Sequence, residues 1–298
     1  MYGRLIVLFL IATPQLFAQN RVFVSAQHGD DTAGCTATAP CRSFAHAAAV
    51  VATDGEILAL DSGGYGPVVL TQPVSIVSPP GIEASITQNV ANGRAIEVDV
   101  IGTTILRGLS LYGLGGGNVG IYIGSAALLY VDSCTVGGFS YGVYGFLTSL
   151  THLAITNCSF IRNGIAGLDI GGNATDNVRF DVDNCRFESS GLLLAEGSRG
   201  TIRGSHFSNA SNGIEVFSNG GAVTVQVESC TITRNTEGIL ATTQNAGTVL
   251  VRVSNSLIAN NTLGIDPAGV GAQILSRLNN TLNDNTTDGT FSGSYVAH

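Results

Sequence analysis

Four short stretches carry a cysteine in one local frame: "VDSCTV" (131–136), "ITNCSF" (155–160), "VDNCRF" (182–187) and "VESCTI" (227–232). Cys134, Cys158, Cys185 and Cys230 could form a metal site, a disulfide framework or a stack of buried thiols. A second set with chemical potential follows the Gly-apolar pairs Gly120-Ile121, Gly142-Val143, Gly167-Leu168, Gly191-Leu192, Gly213-Ile214, Gly238-Ile239 and Gly264-Ile265. The next residues are Tyr122, Tyr144, Asp169, Leu193, Glu215, Leu240 and Asp266. Carboxylates in that column could do acid–base work or hold a cation, and the rings could receive a sugar face.

Whether these residues meet depends on the elements that carry them. In the cysteine frame the aligned positions are Leu109, Cys134, Cys158, Cys185, Ser205, Cys230, Ser256 and Asn280, at intervals of 25, 24, 27, 20, 25, 26 and 24 residues. A period in this range means stacked supersecondary units. Between anchors the chain alternates apolar and polar residues, as in "VTVQVESCTI", and Asn, Gly or Ser stands wherever alternation breaks. Period two means strands and these breakers mean turns. Each unit therefore holds three strands of about three to five residues, with no room for a helix. The Leu spacing of leucine-rich repeats is missing, and a propeller blade needs about 40 residues. An all-β, right-handed parallel β-helix remains, a three-sheet solenoid of about 24 residues per coil.

The frame "I-T-x-N/S-C/x-x-I…N…G-I-x" resembles the repeat of pectate-lyase-like parallel β-helix proteins from Ile96 to about Leu282. Upstream, "VFVSAQHGDDTAGCTATAPCRSFAHAAAVV" resembles the N-terminal segment of bacterial secreted members. The resemblance implies a capping segment over residues 19–66, with a strand and a short amphipathic helix, ahead of a β-helix over 67–298. Phe44, Ala48 and Val51 share one helix face and would cover the first coil. The fold hosts lyases, hydrolases, epimerases and adhesins, so it does not fix a reaction.

In such a coil the four frame cysteines face the interior on successive floors about 4.8 Å apart. Disulfides want β-carbons at about 3.8 Å, and a metal needs convergent ligands, so buried free thiols are expected and no metal site. The preceding residues, Ser133, Asn157, Asn184, Gly204, Ser229, Asn255 and Asn279, fall in the turn, where Asn tolerates left-handed backbone and can bond its neighbours above and below. Cys35 and Cys41 lie outside the repeat in a Gly/Pro/Thr-rich loop and are expected to form a local disulfide. His28, Asp30 and Asp31 in that segment read as turn chemistry.

The N-terminus "MYGRLIVLFLIATPQLFAQN" reads as a signal peptide over residues 1–18, cleaved near Ala18, which implies a secreted, periplasmic or extracellular protein. Its apolar run is too short to span a membrane, and no later stretch is long enough. The chain has 298 residues, a formal charge of −8, 39 glycines and no Lys or Trp, so every basic side chain is an Arg. Acidic balance without a basic cluster argues against nucleic acid as a partner.

Signatures that the resemblance would supply for catalysis are missing: the Asn-Thr-Asp and Gly-His-Gly of polygalacturonase-like hydrolases and their Asp-Asp pair within the repeat, the Trp-Ile-Asp-His of pectate lyases and the Asp-Pro-His-Glu of mannuronan epimerases. Lysine-based β-elimination is excluded by composition, and an arginine is a demanding base. "GLDI" with Asp169 resembles a lyase calcium-binding strand, which leaves calcium open, although Asp169, Glu215 and Asp266 fall two floors apart. The resemblance places the glycan groove on this sheet. Tyr122, Tyr144, Phe146, Asp169, Glu215 and Phe217 are the candidate carbohydrate-binding residues, and Asp169 and Glu215 the candidate catalytic ones. Three readings stand: an exported glycan-binding protein without cofactor, a polysaccharide lyase or glycoside hydrolase, and a structural or adhesive solenoid. On another column, Arg203 falls between Asp183 and Glu228 as a surface ion-pair ladder, and His206 lies beside Arg186 without a catalytic partner.

Overall fold

The computed structural model describes residues 19–114, 116, 118–147, 151–175 and 177–296. The expected signal peptide lies outside the described residues. Among them the chain winds into a parallel β-solenoid with a single short helix. All strand pairings along the stack are parallel, each between one coil and the next. No helix among the described residues is long and apolar enough to cross a membrane.

Each coil crosses three faces. Face I carries the Gly-apolar strands, for example Tyr141–Leu147, Ala166–Gly172, Leu192–Leu194 and Asn212–Asn219. Face II carries Thr151–Thr156, Val178–Asp183, Ser198–Arg203 and Ala222–Glu228. Face III is a 10-stranded sheet of mostly three-residue strands such as Ser159–Ile161 and Arg186–Glu188. Strands on faces I and II reach six to eight residues, longer than the sequence pattern implies. Arg94–Arg107 and Val119–Asp132 run 14 residues from face I into face II without a break. Those continuous strands join the two faces into one 19-stranded sheet, with register shifts at the bend.

The interior follows the expected columns. Val131, Ile155, Val182 and Val227 are buried, and so are Cys134, Cys158, Cys185 and Cys230, all as free thiols, with Ser205 and Ser256 in the same slot. Their amides and side chains link successive coils: Cys185 N–H donates to Ser205 Oγ at 3.1 Å, and Cys230 N–H to Ser256 Oγ at 3.1 Å. Hydrogen bonds with the flanking thiols, together with burial, hold Cys158 above the ordinary thiol range, and burial pushes Cys230 up to about 11. All four are free thiols packed in the interior, closed off from solvent. Beside them Phe160, Phe187 and Phe207 stack with centroids 4.8 and 4.7 Å apart.

The turn before each cysteine is a single left-handed residue: φ is 56° at Ser133 and Asn157, 52° at Asn184, 56° at Gly204, 55° at Ser229 and 48° at Asn255. Asn184 Nδ2 donates to Asn157 Oδ1 at 2.8 Å and Asn255 Nδ2 to Ser229 Oγ at 3.0 Å, which is the expected ladder. At the last coil the left-handed position moves from Asn279 to Leu278, leaving Asn279 Oδ1 to accept the Asn255 amide at 2.9 Å.

The capping segment contributes strands as well as a lid. Gln19–Val24 and Val51–Ala59 pair with each other and onward into face II. The helix is Phe44–Val50, N-capped by Ser43, whose oxygen accepts the His46 amide at 3.1 Å. Phe44 and Ala47 are its buried residues; Ala48 is only partly buried, and Val51 already begins the next strand. Cys35 and Cys41 are joined by a disulfide, with Cα atoms 4.6 Å apart. Asp30 and Asp31 make turn and cap bonds, to Thr32 and to Arg42 and Ser43.

Candidate functional site

Face I brings its outward column into register. Tyr122, Tyr144, Asp169, Leu193, Glu215, Leu240 and Asp266 lie opposite one another in consecutive coils. Alternation drives this arrangement, because Ile121, Val143 and Leu168 bury inward and force the next residue out. Glu97 precedes Tyr122 in the same column.

Three tyrosines make a platform at the lower end. Tyr122 and Tyr144 stack at 6.1 Å, and Tyr141, three residues before Tyr144, lies against it at 4.9 Å. The Arg94 guanidinium covers the outer ring, 3.4 Å from the Tyr122 centroid, and is ion-paired with Glu97. Below them is a hollow of about 520 Å³ lined by Ala45, Pro67, Val68, Val69, Asn92, Arg94 and Glu97. Arg94, Glu97 and Tyr141 escape the motif reading because they stand outside the residue just after each Gly-apolar pair. The signal that could have found Tyr141 is its place three residues before Tyr144, on the outer side of the Gly142 corner.

Asp169 comes next along the column, between Tyr144 and Leu193. Burial, with the Glu215 charge second, raises its carboxyl to about 6. Glu215 is fixed by Asn212, whose Nδ2 donates to it at 2.7 Å. A third carboxylate, Glu237, is also raised, by burial and then by Asp266 and Glu215, and one of its oxygens is buried with no hydrogen bond. Asp169, Glu215 and Asp266 thus stand on alternate floors of one column, and Glu237 lies beside it on the floor between Glu215 and Asp266, opposite Asn212. Calcium takes six to eight oxygens at 2.3–2.6 Å, while the in-register neighbours of Asp169 offer a phenol and a leucine. This donor set does not fit a calcium cage. Among the described residues the one compact group of metal-type ligands is Cys35, Cys41 and His46, and its two sulfurs are tied to each other.

The two phenylalanines occupy the next outward column and do not join the tyrosines equally. Phe146 shares a strand with Tyr144 and is 55% exposed. Phe217 shares a strand with Glu215, and the positions between the two rings are filled by Gly171 and Ala195. The structure thus groups Tyr122, Tyr144, Phe146 and Asp169, and sets Glu215 and Phe217 together on one strand two floors beyond Asp169. On face II, Arg203 pairs with Glu228 at 3.3 Å but not with Asp183, and Arg107 pairs with Asp132 at 3.0 Å. His206 stands beside Arg186 with its pKa lowered, by burial first and then by Arg186 and Arg234.

Comparisons with known proteins agree with this architecture. The chain is similar in structure to the crystal structure of pectate lyase Pel9A, with a TM-score of 0.58 and 16% identity, over 88% of this chain and 69% of that one. It is also similar to a GH136 lacto-N-biosidase from Eubacterium ramulus, with a TM-score of 0.58 and 10% identity, over 93% of this chain and 67% of that one. Identities this low establish the fold alone. No curated protein matches by sequence. Residues 86–252 match the family described as "Right handed beta helix region", more than half of the chain, and the protein belongs to that right-handed β-helix family.

Proposed function

We propose that this is an exported β-helix that binds a polysaccharide or cell-surface glycan along face I. The observation that carries the reading is the in-register run of Tyr122 and Tyr144, with Tyr141 and Arg94 against it and Asp169 at its end. A row of rings along a sheet offers apolar surface to sugar rings, while phenol hydroxyls, Glu97 and Asp169 supply polar partners. Pel9A is a pectate lyase and the GH136 protein a lacto-N-biosidase, which supports a saccharide ligand.

The experiment is a glycan-binding and degradation screen on the mature chain, with and without calcium. Tyr144→Ala is expected to weaken binding about tenfold or more, as truncation of a central aromatic contact does. Unchanged binding in a Tyr122→Ala/Tyr144→Ala variant would remove face I as the site. A screen with no binding, combined with self-association of the protein, would instead favour an adhesive or structural solenoid.

One observation favours a second reading, a glycoside hydrolase. An Asp169 carboxyl raised to about 6 holds a proton in mildly acidic solution and could donate it to a leaving oxygen. Its partner would be Glu215, two floors or about 10 Å away, slightly beyond the usual span of an inverting pair. Hydrolysis that persists in Asp169→Asn would eliminate this assignment.

A further inference from the structure

The coil with the shortest interval in the cysteine column builds a second hollow, on face II. From Cys185 to Ser205 the chain advances 20 residues, whereas the preceding interval is 27 and the following one 25. Its face I strand, Leu192–Leu194, is joined to Ser198–Arg203 by Ala195, Glu196 and Gly197 alone. This coil packs closely on the one before it at Gly200, where a Cβ would lie 1.8 Å from the carbonyl oxygen of its in-register partner Phe180. The loops on either side close over the gap, where a Cβ on Gly221 would come within 2.8 Å of the Ala174 Cα. Two depressions of about 500 and 400 Å³ result, sharing Arg199 and Thr224 in their walls.

Their charge is positive in an acidic protein. Arg179 and Arg199 are in-register neighbours, both exposed and pointing outward one floor apart. Neither makes an ion pair among the described residues. His152 and Asp181 stand in the same wall and bond each other at 2.8 Å, and Glu196 accepts the backbone amides of Asn219 and Gly221, so two guanidinium groups face the larger depression against one carboxylate. Thr201, Thr224 and Gln226 complete the wall with hydroxyl and amide groups. Two like charges held side by side over a concave surface favour an anion between them, and guanidinium groups match carboxylates.

We propose that this hollow is a binding site for a carboxylate carried on a hydroxyl-rich ligand, the chemistry of a sugar acid, with Arg179 and Arg199 gripping the carboxylate and Thr201, Thr224 and Gln226 the hydroxyls. It is separate from the tyrosine platform on face I and does not depend on that reading. Calorimetric titration in a Tyr122→Ala/Tyr144→Ala background tests it, using glucuronic acid, a uronate tetrasaccharide, the neutral tetrasaccharide of the same linkage and sodium sulfate. Uronate binding is expected, with a dissociation constant that rises with salt and rises at least tenfold in Arg199→Gln and in Arg179→Gln. Tighter binding of the tetrasaccharide than of glucuronic acid identifies a polymer as the source, and equal binding a free acid. Both arginines are exposed and make no ion pair among the described residues, so these variants should fold, and their unliganded melting midpoints should equal or exceed the parent's. Uronate affinity unchanged in both variants, equal affinity for the neutral tetrasaccharide, or binding of sulfate as tight as that of either acid would each overturn the proposal.

Discussion

The corner between faces II and III and the corner between faces I and II are made by one chain under opposite constraints. At the first, a single left-handed residue turns each coil from Ser133 through Asn255, and Asn157 with Asn184 and Ser229 with Asn255 bond side chain to side chain between coils. At the second, the link ranges from an unbroken strand in Arg94–Arg107, through three residues at Ala195–Gly197, to the longer loop after Gly172. Uniform corners set the stacking of the cylinder. Variable corners set the shape of its outer surface, and the face II hollow lies beside one of them.

The sharpest way to break this comparison is at Gly200, where the variable corner intrudes on the core. Gly200→Ala would drive a methyl into the Phe180 carbonyl, a backbone group, so the strand itself must move. A cost of at least about 3 kcal/mol is expected, read as a large fall in the urea midpoint or loss of soluble protein. Gly164→Ala is the control: the nearest atom to its Cβ is the Phe139 carbonyl oxygen at 3.9 Å, and its stability should stay within about 0.5 kcal/mol of the parent.

Next in size is the buried asparagine ladder at the corner from face III to face I. Asn235 accepts the Ala210 amide at 3.0 Å and donates to the Phe207 carbonyl at 3.3 Å and Asn261 Oδ1 at 3.1 Å. Asn261 repeats the pattern toward Ile232 and Asn285. Asn235→Ala leaves buried backbone groups without partners and should cost about 2–3 kcal/mol in equilibrium denaturation. A loss below about 1 kcal/mol would mean that water or a shifted neighbour satisfies the freed groups.

The same contrast explains what could be read before folding. The cysteine column and its left-handed turns were legible because each coil must repeat the same inward slot and the same one-residue corner. The buried ladder left only the bare "N…G-I" of the repeat frame, since an Asn before glycine looks like a surface turn until its amide is seen to face inward. Irregular ends obey the period least: Leu278 replaces Asn279 as the left-handed residue, and Ala47 replaces Ala48 on the buried helix face. The tyrosine column followed from alternation, but Arg94 over Tyr122 required the depth of the neighbouring coil. Arg179 and Arg199 were hidden by the unequal interval. Only the 20-residue spacing itself signalled that this coil departs from the rest.

Asp169 links the uniform column of face I to the exposed chemistry beside it, and its titration should be the smallest of these effects. Its carboxyl is raised from the ordinary 3.8 to about 6, so the folded state holds the proton more tightly than the unfolded chain. Stability is therefore unpenalised below about pH 4, falls as pH rises toward 6, and carries the full penalty above that. The full shift corresponds to about 3 kcal/mol, which partial solvent screening reduces to on the order of 2 kcal/mol. Asp169→Asn keeps the shape and removes the charge, so it should be more stable than the parent at pH 7, equal at pH 4, and flatter between. Melting midpoints of both proteins across that range measure the difference. Parallel curves would show that Asp169 is solvated as well as an ordinary surface carboxylate, and the case for it as a proton donor would fall with them.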